Sequence, residues 1–169
     1  MFDPTDYINK ENLEKSTKFV YQDGLKYRNK ELLMYPLFYD YGLQKDFIHP
    51  DGYYAVIKDH DGCWWLLIFP ECCWDGATFY WDYQWMMLAS LVHDILHWLI
   101  KRGIIDEKYN FLIDKELQHL VLTSNIKIPW YQGGEMSKPF RAWIIKTGTA
   151  LANEKRANAP DLPITVLDI

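Results

Sequence analysis

The chain has 169 residues, 49 % of them hydrophobic, and a formal net charge of −5. That is one domain's length with enough apolar material for a core, which excludes wholesale disorder and fibrous repeats. The acidic balance argues against a nucleic-acid binder that relies on a basic surface, so no nucleic acid is expected as a partner.

The most apolar stretch, Trp85 to Ile100, is too short to span a bilayer and carries His93, Asp94 and His97, so no membrane span is expected. The start, Met1-Phe2-Asp3-Pro4-Thr5-Asp6, has no basic region followed by an apolar one, and no signal peptide is expected. Three cysteines, two of them adjacent (Cys72 and Cys73), make no disulfide framework and fit synthesis in a reducing cytoplasm. Aromatic content is high: 8 Trp, 12 Tyr and 8 Phe.

In chain order, residues 1–16 are polar and read as an arm or a short helix. Lys18–Tyr21 and Leu25–Tyr27 flank Asp23-Gly24, a hairpin signal. Glu31–Tyr41 is apolar and aromatic but broken by Pro36, and its periodicity selects neither helix nor strand. Tyr53–Lys58 and Trp64–Phe69 are the clearest strands, joined by the turn sequence Asp59-His60-Asp61-Gly62 and closed by Pro70. A loop follows from Glu71 to Thr78.

A long helix is expected from about Tyr83 to Arg102, with Asp82 as N-cap, Lys101 and Arg102 in the last turn and Gly103 at the C′ position. A second runs from Glu107 to Thr123. A third starts near Ser137, with Pro139 in its first turn, and stops before Pro160. The tail 164–167 could return as a strand, and Gly133-Gly134 reads as a turn. The expected fold is α+β: a small antiparallel sheet in the N-terminal half packed on about three helices in the C-terminal half. The chain divides into an N-terminal arm and hairpin extension (1–50), a core domain (51–157) and a tail (158–169).

On a wheel of 100° per residue, Leu88, Leu91, Val92, Ile95 and Leu99 form an apolar stripe along the first helix. Ser90, His93, Asp94, His97 and Lys101 lie opposite, as a narrow polar strip on a helix otherwise apolar almost all round. Such a strip most often is a solvated face or makes modest ion pairs, and a histidine beside an aspartate is commonly a structural hydrogen bond. It can also carry chemistry. His93 and His97 have the i, i+4 spacing with which two imidazoles reach one ion, as in zinc proteases, with Asp94 where that motif has Glu.

Glu116 is a candidate third ligand by spacing. The second helix's wheel puts it near the apolar stripe of Tyr109, Ile113, Leu117 and Leu120. Asp114 lies at the stripe's edge, about 160° away on the wheel, so the two carboxylates cannot both face one site, and His119 points away from Asp114. Alternatively, His93-Asp94 reads as the metal-binding doublet of His-Asp phosphohydrolases, with Asp114 downstream and His49 or His60 upstream. That class is all-helical, which this N-terminal half is not. A Cys72 or Cys73 thiol with His93 as base is a third arrangement to weigh.

The runs Trp74-Asp75-Gly76-Ala77-Thr78, Leu88-Ala89-Ser90-Leu91-Val92-His93-Asp94-Ile95-Leu96 and Asp114-Lys115 resemble the tailed-phage and prophage family catalogued as domain of unknown function thirteen-fifty-three. The resemblance covers roughly Tyr53 to Val121, with an echo at Trp143 to Gly148. It implies Asp75, His93, Asp94 and Asp114 as site residues. Thr78 stands where that family has Ser, and His97 where it often has an aromatic, which speaks against His97 as a general ligand of the family. Three carboxylates and an imidazole could hold a divalent metal such as zinc and polarise water, or form a structural network.

Two functions follow as expectations. The first is a phage-encoded structural or accessory protein of the virion tail or neck, made in the host cytoplasm, that docks on other phage structural proteins. Tyr54, Trp65, Trp74, Tyr80 and Trp81 would be its aromatic anchors, because paired aromatics on a strand project to opposite faces. The second is a small metal-assisted hydrolase, with Asp75, His93 and Asp94 as catalytic groups and His93, Asp94, Asp114 and His97 around the metal.

Overall fold

The computed structural model describes residues 21–22, 27–74 and 84–123, with the isolated positions 8 and 139. Its elements are β1 (Tyr21–Gln22), β2 (Tyr27–Asn29), β3 (Leu33–Pro36), β4 (Phe47–Ile48), β5 (Tyr54–Lys58), β6 (Trp64–Ile68), β7 (Cys73–Trp74), α1 (Gln84–Lys101), a 3₁₀ turn (Glu107–Tyr109) and α2 (Asn110–Thr123). Antiparallel strands in the N-terminal half and helices after them make an α+β fold, as the sequence pattern leads one to expect. Of the third expected helix only Pro139 is described, in helical conformation. The arm 1–16, the turn at Gly133-Gly134 and the tail strand lie outside the described residues, Ile8 excepted.

The larger sheet has the strand order β3-β6-β5-β4. Its centre is the expected hairpin, with Val56 opposite Leu66 and Tyr54 opposite Ile68. The turn is fastened by Asp59: its Oδ1 accepts from the Cys63 amide at 2.8 Å and its Oδ2 from the Trp65 indole at 2.7 Å. Gly62 takes the positive φ of 87° that the turn requires. Pro36 ends β3 on the sheet's edge, where a missing N–H is tolerated, which settles the segment 31–41 as a short strand and a loop.

Alternation then distributes the core. Leu33, Tyr54, Val56, Leu66 and Ile68 face α1 and α2, and the large core continues through Met87, Leu91, Leu96, Leu99, Ile113 and Val121. Met34, Ala55, Ile57 and Leu67 point to the opposite face, with Trp65, Phe69 and Ile8 packed against them. Both faces of the sheet are thus apolar, which is why β5 and β6 read as continuous hydrophobic runs.

The smaller sheet has the order β1-β2-β7. It contains the other expected hairpin, with Tyr21 opposite Asn29. Asn29, 1 % exposed, ties the two sheets together: its Nδ2 donates to the carbonyls of Glu31, Ile68 and Phe69, and its backbone bonds Glu71 and Cys72.

This packing corrects part of the docking expectation. Tyr54 and Trp74 are each 5 % exposed and belong to the core. In the Tyr53-Tyr54 pair it is Tyr53, 38 % exposed, that faces outward. Trp74 turns inward to donate from its indole to Ser90 Oγ at 3.1 Å. Trp65 is half-buried, and Tyr80 and Trp81 lie outside the described residues.

Candidate metal centre

α1 ends as its sequence dictates. Gly103 has φ 69°, its amide donates to the Ile100 carbonyl at 2.8 Å, and the Ile104 amide reaches back to Leu99 at 2.9 Å. Asp106 then caps the 3₁₀ turn through the Lys108 amide at 3.0 Å. This short connection, plugged by the buried Ile105, folds α2 back along α1. The His93 and His97 part of α1's polar strip therefore lies at the junction with α2, while Lys101 at its end stays exposed.

At that junction three side chains converge. His93 and His97, one turn apart on α1, bring their Nε2 atoms to 3.1 Å, with the rings at 72° to each other. Asp114 comes in from α2, and its Oδ1 stands 3.3 Å from the same His93 Nε2. Nitrogens of both histidines and a carboxylate oxygen all lie within 4.8 Å of one another. Asp114 and His93 are buried, and His97 is half-buried, so the cluster has one side toward the surface.

Ligands at 2.0–2.1 Å in a tetrahedron stand roughly 3.3–3.4 Å apart. The 3.1 and 3.3 Å separations at His93 Nε2 are therefore close to the edges of a zinc coordination polyhedron. Burial pulls His93 toward its neutral form, but hydrogen bonds to Asp114 and Asp94, with the charges of those carboxylates, outweigh it and hold the imidazole above its ordinary pKa. The two carboxylates thus favour positive charge on this imidazole.

Asp94 behaves differently from the three. It lies on the other side of the His93 ring, with Oδ1 3.7 Å from Nδ1, and its side chain is one-third exposed. Asp75 lies outside the described residues. Ser90, on the same strip by the wheel, is buried and bonded to Trp74 and to the Met87 carbonyl.

Glu116, the candidate third ligand by spacing, is in another place altogether. It is fully buried and accepts hydrogen bonds from the Tyr35 hydroxyl, the Tyr41 hydroxyl at 3.0 Å and the Phe38 and Tyr39 amides at 3.0 and 3.3 Å. Burial first, then the Glu116 charge, pushes both tyrosine hydroxyls far up and keeps them as donors. The wheel separates Glu116 from Asp114, and only Asp114 reaches the histidines.

The remaining arrangements do not assemble among the described residues. His49 packs between Tyr53, Tyr54 and Trp98, and His60 is exposed in the β5–β6 turn, so neither supplies the upstream ligand of a His-Asp phosphohydrolase. Burial, with the neighbouring Cys73, pushes the Cys72 thiol up to about 12, which suppresses the thiolate a nucleophile needs. Cys73 is exposed and its Sγ donates to the Glu71 carbonyl at 3.3 Å.

Helix spacing alone left Glu116 and Asp114 as alternative third members, and only the motif resemblance pointed to Asp114. The signal that separates them is the pair Tyr35 and Tyr41, which claims Glu116 from a distant segment. No helix among the described residues is long and apolar enough to cross a membrane. No family model, curated protein or solved structure matches the chain.

Proposed function

We propose that the chain binds one divalent metal ion, zinc in the first instance, through His93, His97 and Asp114, and that it acts as a small metal-assisted hydrolase. The observation that carries this is the convergence of two imidazoles and a carboxylate within 4.8 Å at the α1–α2 junction. Two histidines and one carboxylate from packed helices form a ligand set suited to zinc. Three protein ligands leave positions for water and a substrate oxygen, which is the pattern of a working site more than of a closed structural one. The half-buried His97 marks the side from which a substrate would enter.

The test is a zinc titration against a competing chelator. The parent protein should take up one equivalent, with a rise in melting temperature, because a ligand that binds only the folded state stabilises it. Affinity should fall toward acid pH, since protons compete for the imidazoles. His93→Ala, His97→Ala and Asp114→Ala should each lose stoichiometric uptake. No uptake by the parent protein would end this reading.

A second reading keeps the chain as an accessory component of a phage particle, docking on other structural proteins. The phage or prophage setting, with synthesis in the host cytoplasm, rests on the motif resemblance. A docking role draws support from Phe38 and Phe111, 61 % and 55 % exposed. Phe38 stacks on His119 of α2 at 4.0 Å, so a pre-ordered aromatic surface is on offer. Absence of the chain from purified particles, measured by mass spectrometry, would remove this second reading.

A further inference from the structure

We infer that Asp94 is a positioning residue for the metal centre and not one of its ligands: its carboxylate, 3.7 Å from His93 Nδ1, is the charge partner of that nitrogen and so turns His93 Nε2 toward the ion. The inference rests on the metal-binding reading above.

The geometry separates the two aspartates that flank His93. Asp114 Oδ1 is 3.3 Å from Nε2, on the side where His97 Nε2 also sits at 3.1 Å. Asp94 Oδ1 is 3.7 Å from Nδ1, the nitrogen on the ring's other side. The two lone-pair directions of an imidazole diverge, so a carboxylate at Nδ1 cannot share an ion with Nε2. The set of mutually close ligand atoms is His93, His97 and Asp114, without Asp94. Asp94 follows His93 directly in the sequence, and only their side-chain torsions set how the two groups meet.

The chemistry is that of an outer-shell carboxylate. Only one ring nitrogen of a neutral histidine carries hydrogen, and the partner of that nitrogen decides which one it is. A carboxylate at Nδ1 places the hydrogen there and leaves the Nε2 lone pair for the metal. It also makes that lone pair more basic, and loss of such a partner typically weakens a site about 10–100-fold. Asp94 is one-third exposed, whereas Asp114 is buried.

The experiment compares the parent chain with Asp94→Ala and Asp94→Asn in zinc titrations, with nitrogen-15 spectra of the zinc-loaded His93 ring. Asp94→Ala should still bind one equivalent, about 10–100-fold more weakly, and its Nδ1–H should exchange faster with water. Asp94→Asn keeps an acceptor oxygen and should recover much of the affinity. If Asp94→Ala binds as tightly as the parent with unchanged Nδ1–H exchange, the positioning role is wrong while the metal site stands. If both Asp94 variants fold yet lose uptake as completely as Asp114→Ala, Asp94 is a ligand and the inference is overturned. If the parent chain takes up no zinc, the metal reading falls and this one with it.

Discussion

Glu116 and Asp114, two residues apart on one helix, show how strongly a side chain's meaning depends on what lies across from it. Glu116 is fully buried with four donors and joins the segment 35–41 to α2. A carboxylate there exposes both oxygens to donors. Glu116→Gln replaces one oxygen with an NH₂ that faces other donors, and leaves buried groups unpaired. We expect a loss of about 2–4 kcal/mol in urea unfolding, with the zinc stoichiometry of the folded fraction unchanged. The cysteines offer a second test at this scale. Cys63 and Cys73 are exposed and Cys72 is buried. Iodoacetamide should modify two thiols in the folded protein at pH 8, and the third, Cys72, only after unfolding. Modification of Cys72 at the same rate as the other two would contradict its place in the core.

At the scale of elements, the sequence was legible where an element is long or its turn is chemically marked. The hairpin of β5 and β6 is announced by Asp59-His60-Asp61-Gly62, and α1 by its apolar stripe and by Gly103. It was illegible where an element is too short to have a period. β4 and β7 have two residues each and are defined by partners elsewhere in the chain. The same limit explains Tyr54 and Trp74. Alternation says that one aromatic of a pair turns inward, but only the register decides which one. The loop 37–43 illustrates how such segments are fixed. Gly42 has φ 64°, and a Cβ there would stand 2.6 Å from the Tyr109 hydroxyl, which precedes α2. Gly42→Ala therefore combines backbone strain with a clash and should cost about 2 kcal/mol or more, measured as a shift of the denaturation midpoint. An unchanged midpoint would mean that this loop does not press on the 3₁₀ turn as described.

For the molecule as a whole, the sheet is the platform and the helix pair is the site. The sheet's one face carries α1 and α2, and Glu116 and Asn29 fasten the intervening loops. The cluster of candidate ligands lies between the helices, with two histidine nitrogens from α1 and one carboxylate oxygen from α2. The sequence marked His93, Asp94, His97 and Asp114 as chemistry-bearing but could not show which three of them converge. Which carboxylate of α2 meets the histidines depends on the rotation of α2 about its axis, a tertiary quantity fixed by Tyr35 and Tyr41, which hold Glu116. The high aromatic content divides in the same way, with Tyr41, Tyr54 and Trp74 in the core and Phe38, Tyr53 and Phe111 at the surface.

In the proposed centre one ion sits between His93, His97 and Asp114. Anomalous diffraction from zinc-soaked crystals tests it most directly. A single strong zinc peak is expected about 2.0–2.2 Å from both Nε2 atoms and a carboxylate oxygen of Asp114. No peak there, or zinc held at the exposed cysteines Cys63 and Cys73 instead, would contradict it.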